Sequence, residues 1–205
     1  KRGVRLGILL PELYKMQVEA IIRASINVYG KKQTEFAPEI MLPMVSSFKE
    51  VNLLRNLIEG VVSEINKEFN YPITYKLGVM VETPRAALKA GELAKISSFL
   101  SFGTNDLTQM TYGLSRDDSG TFMRDYLAKE IFPIDPFRSL DLDGVGELLK
   151  IAFKKSRAAN PYIKIGMCGE HGGDPKSIDF IKKIGLDFVS CSPFRVPVAR
   201  IAAAQ

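Results

Sequence analysis

Three short stretches hold the side chains best suited to doing chemistry. The turn Gly103-Thr104-Asn105-Asp106 directly follows the apolar run Phe99, Leu100, Phe102, and Leu107, Met110 and Leu114 then resume at helical spacing. A strand that ends in glycine and passes into a helix start is a β-to-α turn, where parallel α/β folds collect their ligands. Its backbone N–H groups at a helix N-terminus suit an anion, and Asp106 offers a hard oxygen to a cation. The bland alternative is that Asn105 or Asp106 simply caps the helix. Glu82 closes the next apolar run upstream, 76–82, and with Asp106 could share one Mg²⁺, which takes few protein carboxylates plus water and substrate oxygens. Each carboxylate alone would equally serve as a cap or an ion-pair partner.

The third stretch is Cys168-Gly169-Glu170-His171. A thiol in a glycine-rich turn is either an acid/base or nucleophilic group, or a small buried hydrophobe. Cys191, followed by Ser192-Pro193, fits the buried reading better. His171 is the only histidine; it suits a general base, a metal ligand, a phosphate carrier or a histidine whose hydrogen bonds merely hold a loop. Ser115-Arg116-Asp117-Asp118 brings a cation near the central turn, to bind an anion or to pair with Asp117.

These residues need strands to carry them. Apolar runs at 39–45, 76–82, 98–102, 164–168 and 187–191 predict five strands, each delivering polar groups at its carboxyl end. Helical spacing fills the gaps between them. One helix runs from Pro11 to about Gly30, and one capped by Ser46-Ser47 runs to Phe69. Others start at Thr83-Pro84 and reach Lys95, lie around 122–131, and span 141–159, Pro175 to Ile184, and Ser192-Pro193 to Ala204. Alternating strands and helices predict a parallel sheet. Five strands are fewer than the eight of a closed (β/α)₈ barrel, and an open doubly wound sheet competes, although no glycine-rich dinucleotide turn supports it.

Composition narrows the class. The chain has 205 residues, 46% hydrophobic and 25% charged, enough to bury a real core. Its net charge of +5 comes from dispersed lysines with no basic block interleaved with aromatics, so neither nucleic acid nor a membrane is expected as partner. Two cysteines are too few for a disulfide framework and point to thiols in a reducing compartment. No apolar run reaches membrane-spanning length. The chain opens at Lys1-Arg2-Gly3 without Met and reads as a piece of something longer.

Four stretches together carry a resemblance: Gly-Val-Met-Val-Glu-Thr-Pro-Arg-Ala-Ala-Leu (78–88), Ser-Phe-Gly-Thr-Asn-Asp-Leu-Thr-Gln-Met-Thr (101–111), Cys-Gly-Glu-His-Gly-Gly-Asp-Pro (168–175) and Ser-Cys-Ser-Pro-Phe-Arg-Val-Pro-Val-Ala-Arg-Ile-Ala-Ala-Ala-Gln (190–205). The chain resembles the pyruvate, phosphate dikinase family over essentially its whole length, as the C-terminal phosphoenolpyruvate/pyruvate-binding domain. Phosphoenolpyruvate synthase and enzyme I of the sugar phosphotransferase system share the Thr-Asn-Asp turn. The His-Gly-Gly-Asp form of the cysteine loop and the Ser-Pro-Phe-Arg-Val-Pro ending favour the dikinase.

The resemblance implies an α/β fold, a (β/α)₈ TIM barrel present with about five of its eight strands and two open sheet edges. It implies Mg²⁺ held by Glu82 and Asp106, substrate contacts from Glu82, Gly103, Thr104, Asn105, Asp106 and Arg2, and Cys168 as the acid that protonates the enolate carbon. It further implies pyruvate and phosphoenolpyruvate as ligands, a phosphohistidine domain elsewhere in the full-length enzyme, and a cytoplasmic homodimer. ATP, phosphate and pyruvate would interconvert with AMP, diphosphate and phosphoenolpyruvate. The nucleotide-binding domain, the phosphohistidine domain and two upstream substrate arginines are absent from these 205 residues, so the piece alone is expected to be inactive in the full reaction. A non-catalytic dimerisation domain and an Mg²⁺-dependent lyase acting on pyruvate are the competing readings.

Overall fold

The computed structural model describes residues 3–205. In chain order the elements are α1 (Val4–Leu9), α2 (Pro11–Tyr29), β1 (Glu39–Leu42), α3 (Phe48–Phe69), β2 (Lys76–Val81), α4 (Pro84–Leu88), α5 (Ala90–Ala94), β3 (Phe99–Gly103) and α6 (Thr104–Tyr112). There follow α7 (Arg116–Ser119), α8 (Met123–Ala128), α9 (Val145–Ala159), β4 (Lys164–Cys168), α10 (Pro175–Ile184), β5 (Phe188–Val189) and α11 (Val196–Ala204). The five strands form one sheet in the order β1-β2-β3-β4-β5, every pair parallel. Strictly sequential order is that of a (β/α) barrel wall. A doubly wound sheet reverses direction at a switch point, and no reversal occurs among the described strands. β1 and β5 are each paired on one side only, so both sheet edges are open as expected.

Register divides the sheet into two faces, because neighbours across a parallel pair point the same way. Val79, Leu100 and Ile165 align, as do Val81, Phe102 and Met167. All six are fully buried and share one core with Leu54 and Ile58 of α3, Leu93 of α5 and Leu149 of α9. The other face carries Met80, Phe99, Ser101 and Phe188. There the Phe99 ring lies over Gly78 and the Phe188 ring over Gly166, so rings on one strand fill the space that glycines leave on the next. Hydrophobic burial on the first face fixes the strands, and the second face is left to display the strand-end residues.

Several boundaries differ from the sequence reading, each for a local reason. β1 stops at Leu42 because Pro43 has no N–H and Met44 adopts a left-handed φ of 55°. The helix expected from Thr83-Pro84 to Lys95 breaks at Lys89 into α4 and α5. α9 starts at Val145, four residues late, because the Asp141 carboxylate accepts the N–H groups of Asp143, Gly144 and Val145 and holds them in a turn. α1 lies where the sequence shows only an apolar run with no period.

Candidate active site

The strand ends meet in one row. Gly103 pairs with Cys168 across β3 and β4, and Val81 with Phe102 across β2 and β3, which puts Glu82 beside Gly103. Glu82, Gly103 and Cys168 therefore lie side by side on the face away from the helices. Gly103 is required there: a Cβ would come within 2.7 Å of both Cβ and Oε2 of Glu82 and 3.0 Å of Met80 Sδ. The glycine opens a gap between a carboxylate on one strand and a thiol two strands away, at ~4.8 Å per strand spacing.

Glu82 is 7% exposed, and its Oε1 accepts the Met44 N–H at 2.6 Å. The left-handed φ of Met44 is a costly conformation for a side-chain-bearing residue, of a kind that clusters at functional sites. Asp106 stands in the first turn of α6, where its Oδ1 accepts from Gln109 Nε2 at 3.1 Å. Gln109 Oε1 in turn accepts the Arg116 N–H at 2.9 Å, so Gln109 fixes the orientation of Asp106 from one helical turn away. The N-cap of α6 is Gly103, and no side chain caps the helix. The capping reading of Asn105 and Asp106 is thereby excluded, and the first-turn N–H groups carry no side-chain cap.

Cys168 is half-buried, with Sγ 3.5 Å from Met80 Sδ and 3.6 Å from the Phe102 carbonyl oxygen. Burial pushes its thiol above the ordinary cysteine value; a hydrogen bond with Ser101 opposes this and the Glu82 charge reinforces it. At neutral pH the group is an S–H, a proton source rather than a nucleophile. Cys191 packs instead beside Ile178, Ala199 and Ala202, as a small hydrophobe.

The central turn and the cysteine loop are laced together. Asn105 Oδ1 accepts the Glu170 N–H at 3.0 Å. The Thr104 hydroxyl, fully buried, lies 2.9 Å from the Cys168 carbonyl oxygen and 2.7 Å from His171 Nδ1. His171 is fully buried too, and its Nε2 lies 2.8 Å from the Pro136 carbonyl oxygen. A carbonyl can only accept, so Nε2 carries a proton. Burial lowers the affinity of the ring for a second proton, although the Pro136 bond and the charges of Asp174 and Glu170 oppose this. His171 is thus the hydrogen-bonding histidine of a loop, with both ring nitrogens engaged and neither available to carry phosphate. Arg116 pairs with Glu170 at 3.0 Å, not with Asp117.

The structure thus brings together Glu82, Gly103, Thr104, Asn105 and Cys168, with Asp106 next along the chain in the first turn of α6. Arg2 lies outside the described residues. Sequence reasoning missed Met44, Met80, Ser101 and Gln109; only Gln109 had a signal, its position three residues after Asp106 on one helix face. Among the described residues no group of three or more His, Cys, Asp or Glu is arranged to hold a metal ion. Two carboxylates still form a donor set of the right hardness for Mg²⁺, which completes its shell with water and ligand oxygens.

A family model described as the PEP-binding domain of PEP-utilising enzymes matches residues 1–205. Over 204 residues the chain is 50% identical to a pyruvate, phosphate dikinase of Rickettsia typhi, 53% to a chloroplastic one of Flaveria pringlei and 49% to one of Clostridium symbiosum. Each alignment covers 100% of this chain but only 21–23% of the relative. A solved citrate lyase from Burkholderia xenovorans LB400 superposes with a TM-score of 0.53 over 80% of this chain and 48% of its own, at 16% identity, a likeness of fold alone. No helix among the described residues is long and apolar enough to cross a membrane. From the match over its whole length, together with the strand-end row and sequential parallel sheet, the chain belongs to the PEP-utilising enzyme family, as its PEP-binding domain.

Proposed function

We propose that this chain is the C-terminal part of the phosphoenolpyruvate/pyruvate-binding barrel of a pyruvate, phosphate dikinase, and that it carries the carbon-protonation half of that reaction. The observation that supports this best is the row Glu82–Gly103–Cys168, which sets an S–H group across a glycine gap from a buried carboxylate. A three-carbon ligand fits between them, with its oxygens toward Glu82 and Asp106 and its terminal carbon toward Sγ. Mg²⁺ held by Glu82 and Asp106 would supply positive charge against the ligand's carboxylate and enolate oxygens.

The chain's own residues do the rest. When the phosphoryl group leaves phosphoenolpyruvate for a histidine on another domain of the enzyme, the P–O bond breaks and an enolate remains. Cys168 gives its proton to the methylene carbon, producing the methyl group of pyruvate and a thiolate; the reverse direction returns the proton. The elevated thiol pKa suits an acid that must stay protonated until the enolate forms. The first-turn N–H groups of α6 receive the ligand's negative charge, and Thr104 and Asn105 hold the cysteine loop at the correct reach. In the full-length enzyme this reading places the chain in a homodimer, in the cytoplasm or, as for the relatives named chloroplastic, in a plastid.

The test is calorimetric titration of Mg²⁺ and then oxalate, a planar mimic of the enolate, into this chain. Saturable oxalate binding that needs Mg²⁺ and vanishes in Glu82→Gln is expected. Oxalate binding that ignores both the metal and the substitution would overturn the assignment.

A further inference from the structure

Beside the strand-end row lies a second polar cavity of about 540 Å³, lined by Arg116 and Ser119 of α7, by Asp135 and Arg138, by the cysteine loop and by Arg195. It adjoins a smaller cavity of about 310 Å³ that holds Cys168 and Asn105, and Glu170, Gly173 and Arg195 line both. The larger cavity gathers three guanidinium groups from three separate stretches of chain.

Its carboxylates already have partners. Glu170 accepts from Arg116 at 3.0 Å. Asp174 caps α10, accepting the Ser177 N–H at 3.0 Å, the Ser177 hydroxyl at 2.5 Å and the Ser139 hydroxyl at 2.8 Å; its negative charge also faces the positive end of that helix. Asp135 accepts the Phe137 N–H at 2.9 Å. By contrast, the side chains of Arg138 and Arg195 make no hydrogen bond or ion pair with any described residue.

Arg195 is also placed by design of the backbone beneath it. Its stem lies on the buried Gly173, where a Cβ would come within 2.1 Å of Arg195 Cδ and 3.1 Å of its Cβ and Cγ. The cysteine loop is bare at that point, so the arginine crosses it and its head stands between the two cavities.

We infer that this cavity is a binding site for a phosphoryl dianion, held chiefly by Arg138 and Arg195, distinct from the strand-end row and open to it. Two guanidinium groups on neighbouring chain segments offer bidentate N–H pairs matched to phosphate oxygens, which lysines would not. The site deepens the proposed function by giving a phosphoryl group a place to rest outside the metal and thiol positions. Binding of the dianion itself does not depend on that reading.

The experiment is titration of inorganic phosphate into this chain at constant ionic strength, followed by calorimetry, with Arg138→Gln, Arg195→Gln and the double variant. Circular dichroism and thermal melting establish that each variant is folded. One saturable site is expected, weakened at least about ten-fold by each substitution and lost in the double variant. Binding that survives the double variant, or none at all to the folded parent chain, would sink the inference. A parallel titration with methyl phosphate separates the sources: retained affinity means the site accepts a phosphoryl group carried on another molecule, and lost affinity means it takes free phosphate. Glu82→Gln keeps failures apart, since it should abolish Mg²⁺-dependent oxalate binding and leave phosphate binding within about two-fold.

Discussion

A side chain at position 103 would occupy the space between Glu82 and Cys168, because the only room for its Cβ is already filled by Glu82 Cβ, Glu82 Oε2 and Met80 Sδ. Gly103→Ala is therefore expected to abolish Mg²⁺-dependent oxalate binding and to cost about 1–3 kcal/mol of stability, the usual range for overpacking, read from urea denaturation. An alanine variant that bound oxalate like the parent would show that the ligand sits elsewhere. The thiol gives a second test at the same scale. Burial raises the Cys168 pKa, Ser101 works against that and the Glu82 charge adds to it. Replacing Glu82 by Gln removes a negative charge that favours S–H over S⁻, so iodoacetamide should label Cys168 faster at pH 8 in Glu82→Gln than in the parent. Ser101→Ala should slow it. Labelling is followed peptide by peptide by mass spectrometry, so that Cys191 does not contribute; unchanged rates in both variants would mean that neither group faces the sulfur.

At the scale of elements, α3 shows how a local signal fixes a boundary. Ser47 accepts from the Glu50 N–H while Glu50 accepts from the Ser47 N–H, and Ser46 adds its own N–H and hydroxyl to the same carboxylate. Ser47→Ala is expected to cost about 1 kcal/mol, measured by chemical denaturation, with ligand binding unaffected because α3 packs on the far face of the sheet. A loss well above 2 kcal/mol would mean that Ser47 does more than cap. That helix was legible because the capping box and the 3.6-residue period agree. All five strands were legible as apolar runs, and the strand-end position of Glu82, the 103–106 turn and Cys168 followed from them. What stayed hidden depends on partners distant in sequence. The end of β1 hangs on Met44 turning its N–H toward Glu82, 38 residues later, and the late start of α9 on one carboxylate gathering three N–H groups. The burial of His171 depends on Thr104 and Pro136, 67 and 35 residues away, so its candidate roles could be narrowed only in three dimensions. The capping role considered for Asn105 and Asp106 failed because α6 already starts at Thr104, with Gly103 at the N-cap, so both residues lie inside its first turn.

Across the whole molecule, His171 ties the stretch 113–144, which carries only the short helices α7 and α8, to the strand ends. Its ring spans from the Pro136 carbonyl to the Thr104 hydroxyl, joining that stretch, the cysteine loop and the central turn at one buried point. Because burial lowers its pKa below the ordinary 6.5, the unfolded chain binds more protons than the folded one once the pH drops below about 6.5. Stability must then fall with acid across the window between the unfolded and folded values. Asp174 acts later. Burial would raise its pKa, but the hydrogen bonds from Ser177 and Ser139 outweigh burial and hold it below the usual aspartate value, so its contribution persists above pH 3.8 and is lost as the pH falls through its lowered folded value. Urea denaturation from pH 8 to pH 3 should therefore show two declines, the first below about pH 6.5 and the second in the carboxylate range. His171→Asn keeps hydrogen-bonding capacity without titrating, so it should erase the first decline while leaving the second, even if its stability at pH 8 is lower. Persistence of the first decline in that variant would mean that some other group takes up the proton, since His171 is the only histidine in the chain.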